Sequence, residues 1–277
     1  MTKLKLLKHH QLAQIVSEQF KQFSQVQAVA LGGSVVSDKG EAGSDIDLYV
    51  FTTEIIPLEK RQDLVQQLGA SKADLNLTFW DLGDEWIDKS SGIEVDIIYW
   101  DTKWIEDMLD GVLVKQQSWM GYTTCFWRSI KNAKILFDRE GWLTNLKTKT
   151  QVVYPEKLRQ SIIVKNHAVL RSVIPSYLNQ IKKAIQRGDL VSLNHRVAAL
   201  IASYFDIIFA LNRVLHPGEK RLLETALVEC EKLPVDMAQD ITNILRSAAI
   251  TNHQVIMDIN TLLDHLDDLL KQEGFLV

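Results

Sequence analysis

Cysteine is almost absent from this chain of 277 residues. Only Cys125 and Cys230 occur. They form no metal-binding spacing and are too few for a disulfide framework, so a reducing cytoplasm is the expected compartment. An excess of basic charge is also missing. Lys and Arg number 31 against 35 Asp and Glu, a net charge of −4, with a pI near 6.0. A sequence-independent nucleic-acid binder needs a basic surface, so that class is disfavoured, although a local basic patch stays open. No apolar run is long enough for a membrane span. The most apolar stretch, Val197 to Leu211, is interrupted by Asp206 and reads as a core helix. The opening Met1-Thr2-Lys3-Leu4-Lys5-Leu6-Leu7-Lys8-His9-His10 is basic but has no apolar core of the kind a secretory signal carries. The seven histidines show no metal-ligand spacing. Internal repeats and low-complexity segments are lacking.

What is present is an ordinary globular composition, 46% hydrophobic and 24% charged, in a length that suggests two domains. Helical periodicity runs over residues 3–24. Val26 to Leu31 reads as a strand ending at Gly32-Gly33, and Asp45 to Phe51 as a second. Pro57 opens a helix that Gly69 closes. Asn76 to Trp80 and Ile93 to Trp100 read as further strands, the latter after the turn Ser90-Ser91-Gly92. Asp101 caps a helix to about Leu109. Another helix is expected over Trp119 to Lys131, then a short edge strand at Ile135 to Phe137. From Glu156 the texture becomes helical only, over 156–187, 189–215, 219–232, 236–248 and 251–271, with breaks at Gly188-Asp189, His216-Pro217-Gly218 and Pro234. The expected class is α+β: a mixed-sheet domain over 1–145 and an all-α bundle over 146–277.

Chemistry concentrates in two places. Asp45 and Asp47 stand i, i+2 at the start of an apolar strand, so both side chains point to one face. Like charges held together repel unless something neutralises them. Hard carboxylate oxygens suit Mg2+ or Mn2+. Upstream, Gly32-Gly33-Ser34 ends a strand where bare backbone amides can approach a phosphate. In Ile93-Glu94-Val95-Asp96-Ile97-Ile98, alternation sets Glu94 and Asp96 on one face. If that strand lies beside Asp45 and Asp47, Asp96 completes a carboxylate triad able to hold two metal ions for in-line displacement at phosphorus. Asp96 would serve as ligand and general base; Glu94 shares its face and is the alternative.

The pattern Gly33-Ser34, ten residues, Asp45-Ile46-Asp47, with the later Asp96, resembles the nucleotidyltransferase superfamily typified by DNA polymerase beta. The likeness covers residues 26–51 and 92–100. With a helical C-terminal domain it is similar to the antibiotic (aminoglycoside and lincosamide) nucleotidyltransferases. Phe209-Ala210-Leu211-Asn212-Arg213 and His216-Pro217-Gly218-Glu219-Lys220-Arg221 resemble a helical domain found behind such cores in bacterial proteins. The resemblance implies that Gly32, Gly33, Ser34 and Ser44 bind a nucleoside triphosphate such as ATP, with Ser34 on a terminal phosphate. It implies that Asp45, Asp47 and Asp96 hold the metal. Where the family commonly carries an Arg-Gly pair, this chain has Ser37-Asp38, then Lys39-Gly40-Glu41. A basic contact must then come from Lys39 or from the C-terminal domain, where Lys220 or Arg221 is the candidate.

Trp80, Trp86 and Trp119 are candidates to stack a base or a sugar-like acceptor. Trp80-Asp81-Leu82-Gly83-Asp84-Glu85 reads as an acidic rim suited to a cationic acceptor. Lys165, His167 and Arg171 read as a solvated helix face. The expected activity is transfer of AMP from ATP to a hydroxyl of a small acceptor such as an antibiotic. Transfer to tRNA or protein, or a non-catalytic nucleotide-binding role, is the alternative.

Overall fold

The computed structural model describes residues 3–33, 45–249 and 253–276. Its chain divides into two compact units. The first comprises residues 1–110 and 129–152, the second 111–128 and 153–277. The fold is α+β, as expected.

The first unit is built on a six-stranded sheet in the order β3-β4-β5-β2-β1-β6. Its strands are β1 (Val26–Leu31), β2 (Ile46–Thr52), β3 (Ala70–Leu77), β4 (Gly83–Asp88), β5 (Glu94–Asp101) and β6 (Lys134–Asp138). Helix α1 (Lys3–Phe20) precedes β1, and α2 (Leu58–Gln67) follows β2. Only β2 and β5 pair in parallel among the described ladders; the rest are antiparallel. One sheet face is apolar. Ile46, Leu48 and Val50 of β2 join Val95, Ile97 and Tyr99 of β5, and Ala13, Val16 and Phe20 of α1 and Leu64 and Val65 of α2 complete the cluster. The opposite face carries Asp47 and Tyr49 of β2 beside Asp96 and Trp100 of β5.

Strand β3 lies earlier than expected, at 70–77 instead of 76–80, and β4 was not foreseen. The sequence Ala-Ser-Lys-Ala-Asp-Leu-Asn-Leu is largely exposed along its length, so the alternation that marks a half-buried strand is absent. Trp86 lies in the core at 2% exposure, which removes it as a stacking platform. The acidic rim is also dispersed. Asp84 is fully buried and accepts from Arg61 Nη1 at 2.5 Å, Asn76 N at 2.8 Å and Tyr99 Oη at 2.7 Å. Asp81 accepts from Trp100 Nε1 at 3.2 Å.

Helices α3 (Thr102–Leu113) and α4 (Cys125–Asn132) each begin in one unit and end in the other. Asp101 caps α3 as expected, accepting from Trp104 N at 2.8 Å. Helix α4 starts later than the expected Trp119, because 118–124 is held in irregular form by side-chain bonds described below. Helix α5 (Trp142–Lys149) ends the first unit.

The second unit contains α6 (Glu156–His167), α7 (Tyr177–Gln186), α8 (Leu190–Asn212), α9 (Leu222–Glu229), α10 (Met237–Ser247) and α11 (Gln254–Gln272). The expected helix over 156–187 is broken by a π-type turn at Ala168–Ser172 and by Pro175. Helix α8 is the core helix that the apolar run announced. Every residue from Ser203 to Leu211 is buried, which is the pattern of a helix covered on all sides. Asp189 starts it, accepting from Ser192 N at 3.0 Å. No helix among the described residues is long and apolar enough to cross a membrane.

The Arg61–Asp84 pair is sealed on both sides, at 2% and 1% side-chain exposure. Arg61→Leu strands the Asp84 carboxylate in the core, and a loss of about 3–5 kcal/mol is expected on breaking such a pair. Urea unfolding of the variant measures it.

Candidate active site

The site begins with strand register. In the parallel β2–β5 ladder Asp47 stands opposite Asp96. Partners in register share a face, so the two carboxylates lie side by side. Antiparallel pairing then sets Glu85 of β4 opposite Asp96, and Asp74 of β3 opposite Glu85. A row of acids thus crosses four strands on one face.

The row is electrostatically strained. Burial first, and then the charges of Asp47, Glu85, Asp45 and Glu94, together push the Asp96 carboxyl up to about 7. Every one of these influences acts in the same direction. Asp45, Asp47, Asp96 and Glu85 are all half-buried. The contrast with Asp84, one residue from Glu85, is direct: that carboxylate is on the other face and has its arginine.

Two glycines fit this row closely. Gly32 N donates to Asp47 O at 2.8 Å, continuing the β1–β2 ladder past its end. A Cβ on Gly32 would meet the Tyr49 ring at 2.5 Å, and that ring stacks on Trp100 with centroids 4.4 Å apart. Gly33 has φ +63, and a Cβ there would collide with Asp47 Oδ2. The Asp47 carboxylate therefore lies directly against bare backbone at the end of β1. Glycine is required at Gly33 both by conformation and by space.

The structure thus brings together Gly32, Gly33, Asp45, Asp47 and Asp96. Ser34 and Ser44, with Ser37, Asp38, Lys39 and Gly40, lie outside the described residues. Lys220 is exposed, in the connection leading into α9 of the second unit. Trp80 is 91% exposed, and Phe79 packs edge-on against it at 6.2 Å. Among the described residues no three His, Cys, Asp or Glu side chains converge as a ready-made metal cage. The donor chemistry nevertheless fits a divalent cation: hard oxygens, half-buried and mutually repelling. Asp45, Asp47 and Asp96 are the residues that would hold it.

Residues 10–109 match the nucleotidyltransferase domain family. The first unit carries a nucleotidyltransferase domain. The glycines and all three acids fall inside the match, and the protein is a transferase of that type. Residues 119–222 match a domain of unknown function, DUF4037. No curated protein matches the chain. Among solved structures it is similar to a nucleotidyltransferase-like protein from Exiguobacterium sibiricum, at 13% identity and a TM-score of 0.44, over 95% of this chain and 74% of that one. It is also similar to the Thermotoga maritima CCA-adding enzyme complexed with tRNA, at 13% identity and a TM-score of 0.31, over 95% and 80% of the two chains. A CCA-adding enzyme in complex with CTP gives the same identity and score over 96% and 68%. Likenesses this distant carry no weight for substrate or partner.

Two acids have roles in the structure that the sequence does not mark. Glu85 reads in the sequence as part of an acidic rim, whereas it lies on β4 opposite Asp96. Asp206 was noted only as a charge inside an apolar run. It is 1% exposed, and burial lifts its carboxyl to about 7 against the opposing pull of bonds from Thr123 and Asn166. A charged residue in an otherwise apolar helix was the available signal.

Asp96 titration tests the acid row. The folded carboxyl holds its proton up to about 7, whereas the ordinary value is 3.8. Between those values the folded state binds more protons than the unfolded one, so stability falls as pH rises through that window. In metal-free protein, carboxyl-carbon NMR should place Asp96 near the upper value, and Asp47→Asn or Glu85→Gln should lower it. Asp96→Asn should flatten the pH dependence of urea unfolding over the same window.

Proposed function

We propose that the protein transfers a nucleoside monophosphate, AMP from ATP, to a hydroxyl of a small acceptor. The observation that carries this reading is the side-by-side placement of Asp47 and Asp96 against the bare backbone of Gly33, within the stretch that matches nucleotidyltransferases.

The acceptor hydroxyl oxygen attacks the α-phosphorus. A new O–P bond forms, the bond to the bridging oxygen breaks, and pyrophosphate leaves. Asp96 takes the hydroxyl proton. Gly32 and Gly33 provide bare backbone on which the triphosphate lies, with Ser34 and Ser44 as the further polar contacts of this reading. Asp45, Asp47 and Asp96 hold Mg2+ or Mn2+, which when bound offsets phosphate charge and activates the hydroxyl. The protein forms no covalent bond to substrate, so its contribution is placement and charge. Residues 1–145 act as the catalytic domain and 146–277 as the acceptor-bearing one.

An antibiotic-like hydroxyl compound remains an acceptor of suitable size. The case for a cationic one is weakened by Asp84 and Asp81, which are engaged with Arg61 and Trp100. Pyrophosphate release from ATP and Mg2+ across a panel of hydroxyl compounds tests the reading. Asp45→Asn, Asp47→Asn and Asp96→Asn should each lower turnover by about 100-fold or more, with melting curves that still show a folded protein. Near-normal release from any of the three would overturn the assignment of that acid.

A further inference from the structure

A groove of about 770 Å³ opens in the helical unit. Its size is that of a pocket for a small organic ligand. One wall is a stripe of α6 formed by Lys157, Gln160, Ser161 and Lys165, spaced so that all fall on one helix face. The other wall includes Ser118 and Trp119. The groove is wide open: Lys157, Gln160 and Lys165 are exposed and Ser161 is half-buried, so the stripe offers two ammonium groups, an amide and a hydroxyl to solvent beside Val164.

The lining contains no carboxylate. No ion pair engages Lys157 or Lys165 among the described residues, and the neighbouring Glu156 is committed to Arg159 and Arg213. Lys165 Nζ donates to Ser118 O at 2.6 Å, which fixes its ammonium and leaves two donors for a ligand. Ser118 Oγ and Ser161 Oγ bond each other across the groove at 2.8 Å. The Trp119 ring lies against Gly111, where a Cβ would approach it to 3.2 Å.

The irregular wall is locked from behind by buried groups that the transfer chemistry does not use. Asn166, itself fully buried, donates through Nδ2 to Trp119 O at 3.0 Å and accepts at Oδ1 from Gly121 N at 3.0 Å. Thr123 Oγ1 accepts from Trp119 N at 3.1 Å and donates to Asp206 Oδ2 at 2.6 Å. Asp206 also accepts from Thr123 N at 3.1 Å. Such a network, with every member satisfied, holds Trp119 and Ser118 in place before any ligand arrives.

We propose that this groove binds a nucleotide, free or at the end of an oligonucleotide, with Lys157 and Lys165 on phosphate oxygens, Gln160 on a polar ring edge and Trp119 on the ring face. Two unpaired cations select an anion, and the combination of a planar platform with an amide selects a ring that carries hydrogen-bonding groups. The inference rests on the transfer reading only in making that ligand the acceptor. Binding itself is independent of it.

Calorimetry on the full chain in EDTA tests the groove, with ADP in one arm and the dinucleotide ApA in the other. Binding of ADP alone marks a free nucleotide; binding of both marks a site open to an oligonucleotide end. In either case Lys157→Gln with Lys165→Gln should weaken binding by about tenfold or more. The control Lys183→Gln, on α7, should leave it unchanged. Equal affinity in the double variant, or no binding of either probe, would overturn the proposal. Pyrophosphate release is read separately with ATP and Mg2+ on the wild-type chain. Groove binding without release would sink the transfer reading and leave the groove; release without groove binding would do the reverse.

Discussion

The parallel pairing of β2 with β5 is the constraint on which the catalytic unit turns. It fixes Asp47 beside Asp96, and no rotation of either side chain removes both from the shared face. In an antiparallel sheet face exposed to water such a pair would be mildly unfavourable. Here burial, Glu85 of the next strand, and Asp45 and Glu94 beside the pair intensify it, until one carboxyl keeps its proton near neutrality. The same unit shows how it treats a carboxylate meant only for structure. Asp84, on the opposite face of β4, has an arginine, a tyrosine hydroxyl and a backbone amide. The acid row instead presents several carboxylates on one face, and its hard oxygens are the kind available to a cation from outside.

That availability explains the glycines. A row of acids can serve phosphate chemistry only if a phosphate can come near without meeting side chains that block it. Gly32 and Gly33 end β1 beside the row, one making room for the Tyr49 ring and the other for the Asp47 carboxylate. Tyr49 and Trp100 stack beneath as a stiff floor. Strand register, glycine backbone and aromatic packing therefore converge on the position of a single carboxylate.

Much of this was legible in the chain. Asp45, Asp47 and Asp96 were marked by alternation inside apolar strands, a pattern that needs a reason because burying charge is unfavourable. Val197 to Leu211 announced a core helix. What stayed hidden depended on long-range pairing. Strand β3 is polar and exposed and shows no periodicity, and without it β4 had no visible neighbour. Glu85 therefore reads as one acid of a rim, whereas it extends the row. The start of α4 was misplaced for a different reason. Residues 118–124 have helix-compatible composition, but Asn166 and Asp206, distant in sequence, hold their amides in a non-helical path. No local rule carries that information.

The two units differ in the charge they leave uncompensated, and this bears on what the acceptor is. The chain as a whole is weakly acidic, yet the groove of the helical unit presents lysines without carboxylates. If the acceptor were a polycation, acidic side chains would be expected to line its site; of the acids proposed for that rim, Asp84 is sealed against Arg61, Asp81 accepts from Trp100, and Glu85 belongs to the acid row. A cation entering the lysine groove would meet like charge from two exposed ammonium groups. An anionic ring compound meets the opposite. On the proposed reading the acids would draw a metal and the lysines of the groove would draw the phosphate of a nucleotide, so each set of charges would answer its own anionic or cationic ligand.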